Sequence, residues 1–121
     1  MQNAAKIYGK IATQTASPRE LEADLLLKAA SRLQAVKDGW DGSKPNLDDA
    51  LLYNRKLWTI FLTSATSAEN PLPVEIRQNV ANLGLFVMKQ TLSIMTNPRP
   101  DSLNSLISIN RELASGLTGR A

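Results

Sequence analysis

The longest regular pattern of apolar residues lies between Asn70 and Thr96 and predicts one long α-helix. Asn70 is a suitable N-cap, and prolines at 71 and 73 are tolerated in a first turn. The apolar residues fall on two stripes, roughly 100–180° apart on a helical wheel. One stripe comprises Ile76, Val80, Leu83, Val87 and Ile94, and the other comprises Val74, Ala81, Leu85, Met88, Leu92 and Met95. Such a helix is usually central, so we expect neighbours on both sides of it.

The same kind of pattern predicts three further long helices, each with recognisable end signals. Ser17 and Glu20 flank Pro18 and Arg19 in a capping box, which marks the start of the first helix. Asn46 is expected to be the N-cap of the second, and Gly116 suits the C-terminal cap of the last. The three helices are predicted over residues 18 to about 37, 47 to about 66 and 100 to about 115.

A weaker amphipathic segment covers residues 2–14. Gly9 in its middle costs about 1 kcal/mol relative to alanine, so a short helix here is marginal alone. Two interpretations remain open, a terminal helix that covers the core or a mobile flap, residues 1–16, over a binding groove. The apolar positions that share one face are Ala4, Ile7, Tyr8 and Ile11.

The length and apolar content favour one domain with its own core. The chain has 121 residues, of which 43% are apolar, and no strand pattern is present. Short connections favour antiparallel neighbours. We therefore predict an all-α fold, a small antiparallel bundle of four long helices plus a weak N-terminal helix, with residues 1–121 as a single domain.

The composition argues against catalysis. The sequence has no histidine and no cysteine, which removes the commonest general base and the thiolate metal ligands. No close acidic cluster or phosphate-binding motif is present either, so we expect no enzyme activity, no cofactor and no metal. No apolar run approaches 18 residues and no signal peptide pattern is found, which predicts a cytoplasmic protein without a membrane span.

The charge distribution favours a mixed-charge surface over a nucleic-acid site. The net charge is +3, from 14 basic and 11 acidic residues, with a calculated pI of about 9.5. The basic residues are spread along the whole chain and no run of them occurs. Because phosphate binding needs clustered cations, direct RNA binding is not favoured, and no small-molecule ligand is evident.

Five apolar side chains are candidates for contact with a partner protein. Phe86 falls in the polar sector of the long helix, and Trp40 lies in a loop between Gly39 and Gly42. Trp40 either caps the end of the bundle or anchors a partner, and the others either bind a partner or pack beneath a loop or the N-terminal segment. The full candidate set is Trp40, Tyr53, Ile60, Phe86 and Met88.

Two asparagines lie in the middle of predicted apolar faces. Asn54 and Asn110 each precede an arginine, in the similar tetrapeptides NRKL and NREL. A buried amide must find hydrogen-bond partners, so the two amides are expected to bond across the core or to hold loop backbone. A structural role in helix register is favoured, and a role in binding is the alternative.

Four stretches together resemble the FlaF family, flagellar biosynthesis regulators of alphaproteobacteria. They are LLYNRKLWTIFL (51–62), NPLPVEIRQNVANLGLFVMKQTL (70–92), LISINRELASGL (106–117) and SPRELEADLLLKAASRLQAVKDGWDG (17–42). The resemblance implies a small cytoplasmic protein needed for flagellin synthesis and export, which works alongside the regulator FlbT. It implies no catalytic residues and supplies no binding residues.

Two functions are therefore expected from the resemblance. The first is a flagellin-binding secretion chaperone that holds an amphipathic client helix in an apolar groove. The alternative is a post-transcriptional regulator that acts on flagellin messenger RNA, either directly or as an adaptor for FlbT. The dispersed charge counts against direct RNA binding.

Overall fold

The computed structural model describes residues 18–42 and 44–119, which form a bundle of α-helices. The helices are α1 (Pro18–Asp38), α2 (Lys44–Ala65), α3 (Val74–Thr96) and α4 (Asn104–Leu117), and a 3-10 turn, Pro100–Leu103, leads into α4. These residues contain no strand, which confirms the predicted all-α fold. The predictions for residues 1–16 lie outside the described residues.

α1 and α2 each pack against two other helices, whereas α3 packs mainly against one. α1 packs against α4 and α2, α2 packs against α1 and α3, and α3 packs mainly on α2. α1 can pack against both its neighbours because three of its five buried residues are alanines, Ala23, Ala29 and Ala30, which let two helices approach closely. The expectation that α3 is central is therefore wrong for the part of the chain that the structure describes.

α3 and α4 meet over a short length near the 3-10 turn. There the Gln90 side chain donates a hydrogen bond from Nε2 to the backbone oxygen of Ser102, at 3.1 Å. At the opposite end the two helices leave a cavity of about 400 Å³, whose walls include Phe61, Val80 and Leu113. Within residues 18–42 and 44–119, the bundle is thus closed at one end of the α3–α4 pair and open at the other.

Two predicted N-caps have other roles. α2 begins at Lys44, so Asn46 lies inside its first turn. α3 begins after Pro73, because a residue that precedes a proline is biased away from helical backbone angles and delays the start. Asn70 shapes the preceding loop instead. Its Oδ1 accepts from the Leu72 backbone N–H at 2.8 Å, and its Nδ2 donates to the Ser64 backbone oxygen at 2.9 Å.

The C-terminal cap is also shifted. α4 continues through Gly116 to Leu117, and the positive φ of +74° belongs to Gly119. Thr118 ends the helix, and its backbone N–H bonds to the oxygen of Ala114 at 3.2 Å. Gly116 is therefore an ordinary helical residue, and Gly119 provides the left-handed turn that a glycine adopts without strain.

A chain of buried polar side chains ties α2 to α4 through the core. The indole Nε1 of Trp58 donates to Oδ1 of Asn110 at 2.8 Å, and Nδ2 of Asn110 donates to Oδ1 of Asn54 at 2.7 Å. All three side chains have no solvent exposure. Because such groups are costly to leave unpaired, the chain fixes the register of α4 against α2.

Candidate helix-docking surface

The second apolar stripe of α3 faces outward. Six apolar residues on this face recur every third, fourth or seventh residue, and Gln78 takes the position that would complete the series. Val74, Leu85 and Leu92 are 69%, 58% and 61% exposed, and Met95 is 41% exposed. We call this face the outer seam, and it consists of Val74, Ala81, Leu85, Met88, Leu92 and Met95.

A second face of α3, about 100° round the helix from the outer seam, packs on α2. This inner face consists of Val80, Gly84, Val87, Thr91 and Ile94, of which Val80 is half-buried and the rest are buried. A Cβ at Gly84 would lie 2.5 Å from Cγ of Leu62, so glycine is required for the observed distance between α3 and α2. The Thr91 hydroxyl donates to the Val87 backbone oxygen at 2.7 Å, so this buried hydroxyl has a partner within its own helix.

α2 widens the outer seam at one end. Leu52 of α2 is 42% exposed and lines a shallow hollow of about 240 Å³ together with Met95, Thr91 and Arg55. The N-terminal half of α2 therefore lies beside the C-terminal end of α3, as expected for antiparallel helices. A partner on the outer seam would contact both helices at this end.

Charged residues flank the seam without entering it. Glu75 and Lys89 are exposed and each follows a seam residue directly, Val74 and Met88. Arg55 borders the hollow beside Leu52. The described residues hold no group of three metal-binding side chains, and none of their helices is long and apolar enough to cross a membrane. The surface can therefore offer an apolar stripe with a charged edge.

The open end of the bundle is a second apolar region. Pro18, where the described part begins, lies on the wall of the cavity between α3 and α4, beside Leu113 and Leu117. Glu22 also lines it, where burial raises the pKa of this carboxyl and the nearby Arg19 lowers it in part. The cavity lies away from the outer seam.

The structure separates the five candidate residues. Met88 lies in the outer seam, half-buried at its centre. Phe86 is 45% exposed on a different side of α3, about 100° round the helix from Leu85. Ile60, 64% exposed, lies by the connection between α2 and α3, in a hollow with Glu69 and Pro71.

The other two candidates pack against the core, as the half-buried Met88 also does. Trp40 is half-buried at the turn between α1 and α2, as expected for a cap on that end of the bundle. Tyr53 is half-buried beneath the guanidinium of Arg32, whose Cζ lies 4.3 Å from the ring centroid. This is a cation–π contact within the chain. Neither residue shares a surface with Met88.

Sequence reasoning missed Leu52, Leu85, Leu92 and Met95 as site residues. Three of them belong to the second apolar stripe, which the sequence predicts to lie inside the bundle. The one position at which the two faces differ clearly in kind is Gly84, where a Cβ would lie 2.5 Å from Leu62 Cγ. The inner face is built from glycine, valine, threonine and isoleucine, whereas the outer seam contains two leucines and two methionines.

Among the residues that the structure describes, the longest helix of the bundle leaves a regularly spaced apolar stripe uncovered, a feature typical of proteins that interact with a partner. The chain matches the family described as Flagellar protein FlaF over residues 4–117, and it belongs to that family. It is therefore a flagellar protein. No curated protein and no solved structure matches the chain.

Proposed function

We propose that this protein binds flagellin as a secretion chaperone and that an amphipathic helix of flagellin docks on the outer seam of α3. The observation that carries the proposal is the exposure of four large apolar side chains on that seam, Val74, Leu85, Leu92 and Met95. Membership of a flagellar family supports flagellin as the client.

The physical basis is apolar burial. From Val74 to Met95 the seam is about 32 Å long, at 1.5 Å per residue. A client helix with its own apolar stripe would cover this length, and the burial is worth about 25 cal/mol per Å² before ordering costs. The same burial would shield a client stripe that otherwise promotes aggregation. A secretion chaperone needs both effects.

Variants of the seam test the docking site. Leu85→Asp and Leu92→Asp each place a charge in the proposed interface, so we expect flagellin binding to weaken at least ten-fold, which corresponds to about 1.4 kcal/mol. Leu27→Asp is the matched control, because Leu27 is 42% exposed on α1 and lies away from the seam. Calorimetric titration gives the affinity, and circular dichroism checks that each variant keeps its helices.

The salt dependence separates this function from messenger RNA binding. Apolar burial responds little to moderate salt, whereas phosphate binding weakens steeply through counterion release. We expect nearly unchanged flagellin affinity between about 50 and 200 mM salt. The proposal fails if flagellin does not bind at micromolar concentration while flagellin messenger RNA binds with a steep salt slope. Retention of FlbT but not of flagellin would support the adaptor alternative instead.

A further inference from the structure

The outer seam has the spacing of a coiled-coil face. From Ala81 to Met95 its residues alternate in steps of four and three, and Val74 lies seven residues before Ala81. This alternation is the a and d pattern of a heptad repeat, which packs against a second helix of the same period. The surface therefore fits a helix rather than an extended chain.

The seam is also complementary to itself. When two copies of α3 run in opposite directions, one register places Leu85 of each copy against Ala81 of the other. The same register places Leu92 against Val74 and Met88 against Gln78. A large side chain then faces a smaller one in the leucine layers, which is how facing positions fill space without a void.

The flanking charges favour the same register. Glu75 lies between the Val74 and Gln78 layers, and Lys89 lies between the Met88 and Leu92 layers. In the antiparallel register these layers face each other, so Glu75 of one copy comes beside Lys89 of the other, and the two-fold symmetry repeats the pair. In a parallel arrangement each residue lies beside the same residue of the other copy. Glu75 of one copy and Lys89 of the other would then stay about 21 Å apart along the axis.

We propose that the client-free protein is a homodimer in which the outer seams of two α3 helices pair in antiparallel orientation. Two Glu75–Lys89 ion pairs flank the interface. At the end of the seam where α2 widens it, Leu52 and Met95 adjoin the layer in which Leu92 meets Val74 of the second copy. The interface is isologous, as most homodimer interfaces are.

The polar residue in the seam makes the dimer exchangeable. A polar side chain at one a position lowers the stability of a coiled coil, and Gln78 occupies such a position opposite Met88. The dimer then covers the seam when no client is present and yields it to a client helix. The competition between the second copy and a client helix for the seam rests on the proposed function, whereas the dimer itself does not.

Charge reversal tests the dimer without disturbing the apolar layers. Glu75→Lys converts two attractive pairs into two repulsive ones, and so does Lys89→Glu, so each variant should weaken the dimer on the order of ten-fold. The double variant restores opposite charges and should return within about three-fold of the original affinity. Lys28→Glu, exposed on α1, is the control and should leave dimerisation unchanged. Sedimentation equilibrium of the full chain measures each dissociation constant.

The outcomes distinguish the dimer from the client site. A chain that stays monomeric at concentrations on the order of 100 micromolar overturns the inference. So does a dimer whose affinity is unaffected by either single reversal, because its interface then lies elsewhere. Flagellin should bind the original chain and compete with dimerisation, since both use the outer seam. Absence of flagellin binding to the original chain, with the charge-swap behaviour intact, would refute the proposed function and leave the dimer standing.

Discussion

The two apolar faces of α3 have nearly the same spacing and opposite surroundings. On the inner face, Val87 is fully buried and Ile94 is 1% exposed, and both lie against the rest of the bundle. On the outer seam, Leu85 and Leu92, each two residues away from one of them, are more than half exposed. One helix thus presents one apolar face to its own fold and another to solvent.

The inner face has a close contact with α2 that requires a small residue at one position. Gly84 lets Leu62 of α2 fit against the α3 backbone, and this close approach requires a small residue at the contact. Leucine and methionine at the corresponding outer positions would hold α2 further away. The larger residues remain free for a partner, where a broad apolar surface provides affinity.

The largest expected effect is the difference in stability between Ile94→Ala on the inner face and Leu92→Ala on the outer seam. Ile94 is 1% exposed, so its truncation leaves a cavity and should lower the free energy of unfolding by about 2–5 kcal/mol. In the monomer Leu92 is 61% exposed, so its truncation should change that free energy by less than about 0.5 kcal/mol at chain concentrations below the dimer dissociation constant. Urea unfolding measures both. Equal losses would mean that the outer seam is packed within the single chain.

Asn110→Leu should give the next largest effect. It tests whether this buried amide stabilises the fold or binds the client. The substitution leaves the Nε1 donor of Trp58 unpaired in the core, which costs about 1–3 kcal/mol. Flagellin binding by the folded variant should be unchanged, because Asn110 and Asn54 lie far inside the bundle. The structural role would be refuted by a variant that keeps its melting temperature and loses the client.

Gly84→Ala tests the close contact of the inner face. The added Cβ would lie 2.5 Å from Leu62 Cγ and force the side chain to move, a cost of about 1–3 kcal/mol that higher helix propensity offsets by up to about 1 kcal/mol. Gly116→Ala is the control, since nothing lies within 4 Å of its Cβ position, and it should stabilise α4 slightly. Thermal unfolding compares the two. If both substitutions stabilise the protein, the inner face is not tightly packed.

The sequence was sufficient for the helices and for most of the core. Periodicity predicted the positions of α1 to α4 within a few residues, and it predicted that Asn54 and Asn110 lie on apolar faces. It failed at helix starts, where Pro73 overrides the capping preference of Asn70. Nor does it give the rotation of α1, in which Leu25 is 37% exposed and Ala23 is buried. Rotation of a helix about its axis depends on its neighbours, which a single-helix wheel does not contain.

For the same reason, the sequence predicts the residues of the candidate surface on α3 but not that they are exposed. The second stripe of α3 was visible as a pattern, but whether it lay inside or outside depends on where α1 packs. Exposed aromatic residues were better recognised individually than as a surface, so Phe86 and Ile60 were selected although they lie apart. A functional surface combines residues from neighbouring helices. The sequence pattern shows only which residues of one helix lie on the same face.

Phe86→Ala should produce the smallest effect and test whether the outer seam or the more polar side of α3 binds the client. Phe86 is 45% exposed and lies about 100° from Leu85, so its removal should change the free energy of unfolding by less than about 0.5 kcal/mol. It should also change flagellin affinity less than about two-fold, whereas Leu85→Ala should weaken binding severalfold through lost apolar burial. Both variants keep helix formers at neighbouring positions, so circular dichroism should be the same for each. A strong loss of binding in Phe86→Ala with little loss in Leu85→Ala would move the docking surface to the other side of α3, because a centrally buried aromatic anchor dominates binding energy wherever the partner covers it.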